Sequence, residues 1–366
     1  MISRAFRAAL LFSGSRSLDA KRCGLLLLAM LVLVACASSA TSTPRPADSA
    51  DTGAAQDNGI RGGILRVVTT VSPITSIVEN IGGTRIELEG IVPEGVNSHT
   101  FAPAPSVARV ISRADLIVLN GLSLEEPTLD MASANKKPGA IILNLGDQSI
   151  SREEWRFDFT FPESGGQPNP HLWPDPLLAL RYAELVRDQL VGLDPANADY
   201  YTSNLEEFRA RIQDLDGRLQ VAVATIPPDN RKLLTYHDSW AYFARRYGLE
   251  VIGAVQPSDF SEPSVKEVAG LIDQLKELRL PAVFGSEVFP SDVLETIAKE
   301  AGARFIDQLA DDDLPGSPGD SRHSYLGLML QNMEIMIPAL GGSIQALDGF
   351  DPGPVFQGQS GAIYPQ

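Results

Sequence analysis

The chain has 366 residues, 44% of them hydrophobic and 21% charged, with a net charge of -16 that falls to about -20 once the first 35 residues are set aside. That acidity argues against a nucleic-acid-binding surface, which needs clustered lysine and arginine to displace counterions. Only Cys23 and Cys36 are present, both near the N-terminus, so a chain beginning at Cys36 has no thiol pair for disulfides, no free nucleophilic cysteine and no cysteine-based metal site.

In chain order, residues 1–35 read as an export signal. A basic stretch with Arg4, Arg7, Arg16, Lys21 and Arg22 precedes the apolar run "GLLLLAMLVLVA", which is too short to span a membrane. The run ends "LVAC", like a bacterial lipobox, so that Cys36 is expected to be lipidated and to become the mature N-terminus. An ordinary cleaved signal is the plainer alternative, and the long basic region leaves the start codon open. Residues 36–61, rich in Ser, Thr, Ala, Pro and Asp, read as a flexible tether.

From Ile64 short apolar runs alternate with helical stretches. "ILRVVTTV", "RIELEGIV", "DLIVLNG" and "AIILNLG" read as buried strands, with "ITSIVENIG" and "PSVARVISRA" as helices among them. A helix is expected from Asp175 to Asp194, then a second and much longer one over 195–226. The alternation resumes with strands in "RKLLTY", "LEVIGAV", "PAVFGSE" and "ARFIDQL", separated and followed by helices. The predicted fold class is α/β: two lobes, each a mostly parallel sheet flanked by helices, joined by one long helix. Residues 62–194 form the N-terminal lobe, 195–226 the linker helix, 227–342 the C-terminal lobe and 343–366 an irregular tail.

Ligands of open α/β sheets bind beyond the carboxyl ends of strands, and three of the four histidines fall there. His99 follows "RIELEGIV", His171 sits in the proline-rich "NPHLWPDP", and His237 directly follows "RKLLTY"; Asp307 ends the strand "ARFI". Each alone is more often a loop residue than a ligand. Together they make a site assembled two and two across an interlobe cleft. Neutral imidazoles with one carboxylate suit zinc, and they fit manganese, which prefers oxygen and higher coordination, less well. His323 in "GDSRHSYLG" and the run Asp311 to Asp313 are expected to be solvated. Hydrolase signatures such as HExxH are absent.

With these residues in view, the sequence resembles the metal-binding lipoproteins of zinc and manganese ABC importers, the ZnuA/TroA-like (cluster A-I) solute-binding proteins. The matching stretches run collinearly: "SHTFAPAPSVARVISRADLIVLNGLSLE", "NPHLWPDP", "LLTYHDSWAYFARRYGLEVIG", "SEPSVKEVAGLIDQLKE", "VFGSEVFPSDVLETIAKEAGARFIDQL" and "SYLGLMLQNMEIM". The resemblance places the family's metal ligands on His99, His171, His237 and Asp307. It also implies that Glu287, in "FGSE", orients a histidine without touching metal. The His-rich loop of many zinc members is missing here, and Pro174 and the residue after Asp307 depart from the family pattern.

What the resemblance implies is capture without catalysis: a lipid-anchored monomer at the outer face of the cell membrane, extracytoplasmic or periplasmic, that takes up Zn2+, or alternatively Mn2+, and hands it to an ABC permease with its ATPase. The long helix limits hinge closure, so binding is expected to order the His237 or Asp307 side locally. Affinity is expected to fall as pH drops through about 6, where free imidazole protonates. A surface adhesin and a tethered zinc hydrolase, the latter needing an open coordination position and a general base such as Glu287, are the rival classes.

Overall fold

The computed structural model describes residues 63–366 except 257, 259 and 289–291. The signal, the lipobox with Cys36 and the whole tether lie outside the described residues. Among those described, no helix is long and apolar enough to cross a membrane.

The first sheet is built from β1 (Leu65–Thr69), β2 (Ile86–Gly90), β3 (Leu116–Leu119) and β4 (Ile141–Asn144), all parallel and in the order β2-β1-β3-β4. Its connections are α1 (Ser72–Gly82), α2 (Pro105–Ile111) and α3 (Glu126–Asn135), and α4 (Leu145–Ser149) follows β4. Next come α5 (Pro176–Leu193) and α6 (Ala198–Ala224). The second sheet repeats the first as β6-β5-β7-β8, formed by β5 (Lys232–Thr235), β6 (Glu250–Ala254), β7 (Ala282–Phe284) and β8 (Arg304–Ile306). Here α7 (Ala241–Tyr247), α8 (Val265–Leu278) and α9 (Asp292–Ala301) make the crossovers, and α10 (Tyr325–Ala339) follows β8.

Side chains alternate across each strand, and the two faces go to different cores. Leu65 and Val67 of β1 and Leu116 and Val118 of β3 point into one large cluster, while Val68, Ile117 and Leu119 point into a small cluster under α2 and α3. In the second sheet Leu233, Ala282 and Phe284 join that same large cluster, and Leu234 and Val283 face a private cluster under α8 and α9. The two sheets therefore share one apolar layer, supplied by α1, α5, α6, α7 and α10. Helix α6 runs through it. Its 27 residues reach about 40 Å, and Tyr201, Leu205, Phe208, Ile212, Leu215 and Leu219 form a fully buried stripe at three- and four-residue spacing.

Helices α3 and α4 have no counterpart in the sequence reading. Helix α3 buries only Thr128 and Ala132, so no apolar stripe marks it. The tail beyond Asp348 has almost no regular structure, yet it is docked. Ile363 donates to Leu88 O and accepts from Gly90 N, both at 2.9 Å, alongside β2. Tyr364 donates to Glu79 Oε2 at 2.6 Å, and Val355 N donates to Asn80 Oδ1 at 2.9 Å.

Asp175 joins the lobes at the start of α5. Its Oδ1 caps the helix by accepting from Leu177 N at 2.9 Å and Leu178 N at 3.4 Å, and it also pairs with the Arg246 guanidinium of α7. Asp175→Ala removes a cap worth about 1 kcal/mol and leaves Arg246 without its carboxylate, for an expected total loss of about 2–3 kcal/mol. Denaturant unfolding of the metal-free protein measures it, and Asp175→Asn, which keeps the cap and loses the charge, falls between.

Candidate metal centre

Three of the four sequence-predicted ligands come together. The ligating atoms of His99, His171 and His237 lie within 4.8 Å of one another, the only such group of three His, Cys, Asp or Glu among the described residues. His171 Nε2 is 3.2 Å from His99 Nε2 and 3.0 Å from His237 Nε2. His171 and His237 are buried and His99 is partly so.

Each ring is placed by its surroundings. Asn169 Oδ1 accepts from both the backbone N and the ring Nδ1 of His171, each at 2.8 Å, which leaves a lone pair on Nε2. Gln256 Oε1 does the same for His237 Nδ1 at 2.7 Å. Asn169 is fixed in turn, its Nδ2 donating to Asp158 Oδ2 and to Asp238 O, both at 2.6 Å. Pro170 O accepts from Asn120 Nδ2 at 2.9 Å, Trp173 Nε1 donates to Asp311 O at 2.7 Å, and Asp175 caps the helix beyond. The segment "NPHLWPDP" is thus held at nearly every polar position. Asn120 is itself set by a tight turn after β3, where Gly121, Leu122 and Ser123 have φ of 78°, 50° and 60°. At Gly121, whose φ of 78° favours glycine, a Cβ would stand 3.0 Å from Asn144 Cβ and against Asp147 Oδ2.

Phenylalanines cover the cluster. The Phe260 ring, from the loop after β6, stacks on His99 at 4.8 Å between centroids, and Phe161 lies 5.5 Å from the same ring. The backbone of Phe260 has a φ of 58°, a left-handed conformation that a phenylalanine adopts at a cost. Burial drives all three imidazoles toward the neutral form: His99 and His171 lie well below the usual value and His237 at about 4.

The fourth predicted ligand is elsewhere. Asp307 is exposed just past the end of β8 and is not in the cluster. The carboxylate that reaches the histidines is Asp311, four residues on, whose buried Oδ2 has no hydrogen bond and lies 3.8 Å from His237 Nε2. The chain does not stop at the strand end but continues and folds back beneath Glu287. Asp311 and Asp312 are buried, not solvated, at 4% and 6% exposure. Glu287 does not orient a histidine. Its Oε1 accepts the amides of Asp311, Asp312 and Asp313 at 2.9, 2.9 and 3.1 Å, so it shapes the aspartate loop. His323, expected in solvent, is buried against the Tyr364 ring, with its Nε2 3.8 Å from Glu94 Oε1. Asn169, Gln256, Phe161 and Phe260 escaped the sequence reading, although Asn169 stood in the same motif as His171.

Two α/β lobes with neutral imidazoles converging between them define a solute-binding protein of the metal-binding class. The chain belongs to the ZnuA family, described as zinc-uptake complex component A, periplasmic, whose model matches residues 67–339; it is a family of binding proteins, not of enzymes. The manganese-binding lipoprotein MntA of Halalkalibacterium halodurans is 28% identical over 290 residues, covering 79% of this chain and 92% of its own. The high-affinity zinc uptake system protein ZnuA of Bacillus subtilis is 28% identical over 326 residues, covering 87% and 97%. Among solved structures, the periplasmic zinc-binding protein TroA of Treponema pallidum superimposes with a TM-score of 0.69 at 26% identity, over 76% of this chain and 99% of that one.

The electrostatics shift the expected pH response. Protonated histidine competes with metal, and depressed values postpone that competition from pH near 6 to the region of 4. Burial, reinforced by Glu287 and Asp312, pushes the Asp311 carboxyl well above the usual range, so a cation arriving there displaces a proton. Metal binding is expected to release protons, with apparent affinity rising with pH. Calorimetry in buffers of different ionisation enthalpy measures the release, which Asp311→Asn abolishes.

Proposed function

We propose that this chain captures a zinc ion between its lobes through His99, His171, His237 and Asp311, and delivers it to an ABC permease with its ATPase. It acts as a monomer, held by a lipid on Cys36 at the outer face of the cell membrane. The observation that carries the metal reading is the convergence of imidazole Nε2 atoms at 3.0–3.2 Å, with the outer nitrogens of His171 and His237 already engaged by amide oxygens. Facing lone pairs repel unless a cation lies among them.

Ligands of one tetrahedral zinc lie roughly 3.4 Å apart, given bonds of about 2.0–2.2 Å. The nitrogens need a slight expansion, and Asp311, at 3.8 Å from His237, a slight approach. Three nitrogens and one oxygen favour zinc over manganese. A hydrolase would need a free general base, whereas Glu287 is saturated by backbone amides; neither that alternative nor an adhesin gains support.

Metal-free protein is expected to bind one zinc, and zinc is expected to displace manganese in competition titration; the reverse order would assign manganese as cargo. His171→Ala is expected to weaken zinc binding by more than a hundredfold, and Asn169→Ala, which frees the His171 ring to rotate and change tautomer, by about 10–100-fold. Chelator competition measures both.

A further inference from the structure

The two sides of the cleft are unequally joined. On the His171 side, the segment before α5 is fastened to the second lobe repeatedly. Asp238 Oδ2 accepts Phe159 N and Thr160 N at 3.0 and 3.3 Å, Thr160 Oγ1 donates to Gln256 O at 2.9 Å, and Asn169 Nδ2 donates to Asp238 O at 2.6 Å. On the His99 side, the loop after β2 crosses to the second lobe, among the described residues, by only two hydrogen bonds. Gly95 N donates to Asp313 Oδ2 at 2.8 Å and Ser98 N to Asp312 Oδ2 at 3.4 Å.

The rest of that loop is tied within its own lobe and to the tail: Ile91 N to Thr69 O at 3.1 Å, Val92 N to Thr70 O at 3.4 Å, Glu94 N to Pro365 O at 3.1 Å. His99 is also the one imidazole of the three that is only partly buried. Both acceptors sit on the loop whose three amides converge on Glu287 at the end of β7.

We propose that Asp312 and Asp313, seated on Glu287, form the latch that holds His99 against the other two imidazoles, and that release of this latch opens the path by which metal enters and leaves. The proposal rests on the three-histidine reading of the site. The same short loop offers Asp311 to the metal and closes the His99 loop over it, so seating the cation and engaging the latch support one another. Carboxylates accepting from backbone amides are strong bonds that depend on no side chain of the His99 loop. Local ordering on binding is thereby assigned to the His99 loop, held by the loop that follows Asp307.

The test uses zinc alone, with stopped-flow chelator competition for the dissociation rate. Asp313→Ala is expected to release zinc about tenfold faster, equivalent to roughly 1.4 kcal/mol, while still binding one zinc and with the melting temperature of the metal-free protein lowered by no more than a few degrees. Asp313→Asn keeps an acceptor oxygen and is expected to recover most of the rate. An Asp313→Ala protein that releases zinc at the wild-type rate overturns the latch, whereas wild-type protein that binds no zinc overturns the site reading itself. Should Asp313→Ala not fold, hydrogen exchange of the 91–100 segment in the wild type decides: slower exchange with zinc than without supports the latch, and equal exchange overturns it.

Discussion

Mutual repulsion among imidazole lone pairs is the constraint on which this structure turns. Left to themselves, His171 and His237, whose Nδ1 atoms both donate to amide oxygens and whose Nε2 lone pairs face each other at 3.0 Å, would rotate away or take up a proton. Here both escapes are blocked. Asn169 and Gln256 fix the tautomers of His171 and His237, and burial with Phe161 and Phe260 overhead makes the charged forms costly. The Pro-flanked segment around His171, the turn at Gly121 and the cap at Asp175 all keep this arrangement from relaxing, and so keep it ready for a cation at a low ordering cost.

Rigidity on that scale needs a frame, and the shared apolar layer supplies it. One core cluster runs from β1 through α6 to β7, so the lobes are faces of one packed body. Large domain closure would tear that layer. What remains free to respond to a ligand are the loops at the carboxyl ends of the strands, and there the buried carboxyl groups gather. Glu287 accepts the Asp311 and Asp312 amides and its charge raises both of their carboxyls, and Asp158 is pushed up to about 9 by burial and by Asp238. Carboxyl groups held at close quarters in this way disfavour their own charged forms, so an arriving cation both displaces protons and relieves their mutual repulsion.

Much of this was legible in the sequence. Strands buried on both faces, such as β3 and β7, read as continuous apolar runs, while β2 reads as an alternation of apolar and acidic residues, and histidine is rare enough in this chain that three at strand ends stood out. The remainder failed for physical reasons. Helix α3 has no apolar stripe to detect. Three consecutive aspartates look solvated on composition, and only the fold-back of their amides onto Glu287, well upstream in sequence, makes their burial possible. Asp307 sits just past a strand end, where a ligand is expected, but its side chain is exposed, while the buried carboxylate near His237 is Asp311, further along the same loop. His323 is hidden by Tyr364 of a tail whose sequence gives no sign of docking.

That tail has one more effect. A single bridged residue pair at Ile363 adds little to stability, but it occupies the outer side of β2, where unpaired amides and carbonyls would otherwise face outward. Such an edge is a template for a strand from another molecule. By lying along it, with Pro365 O taking the Glu94 amide just beyond, the tail blocks strand addition there and so guards the first sheet against intermolecular aggregation through that edge.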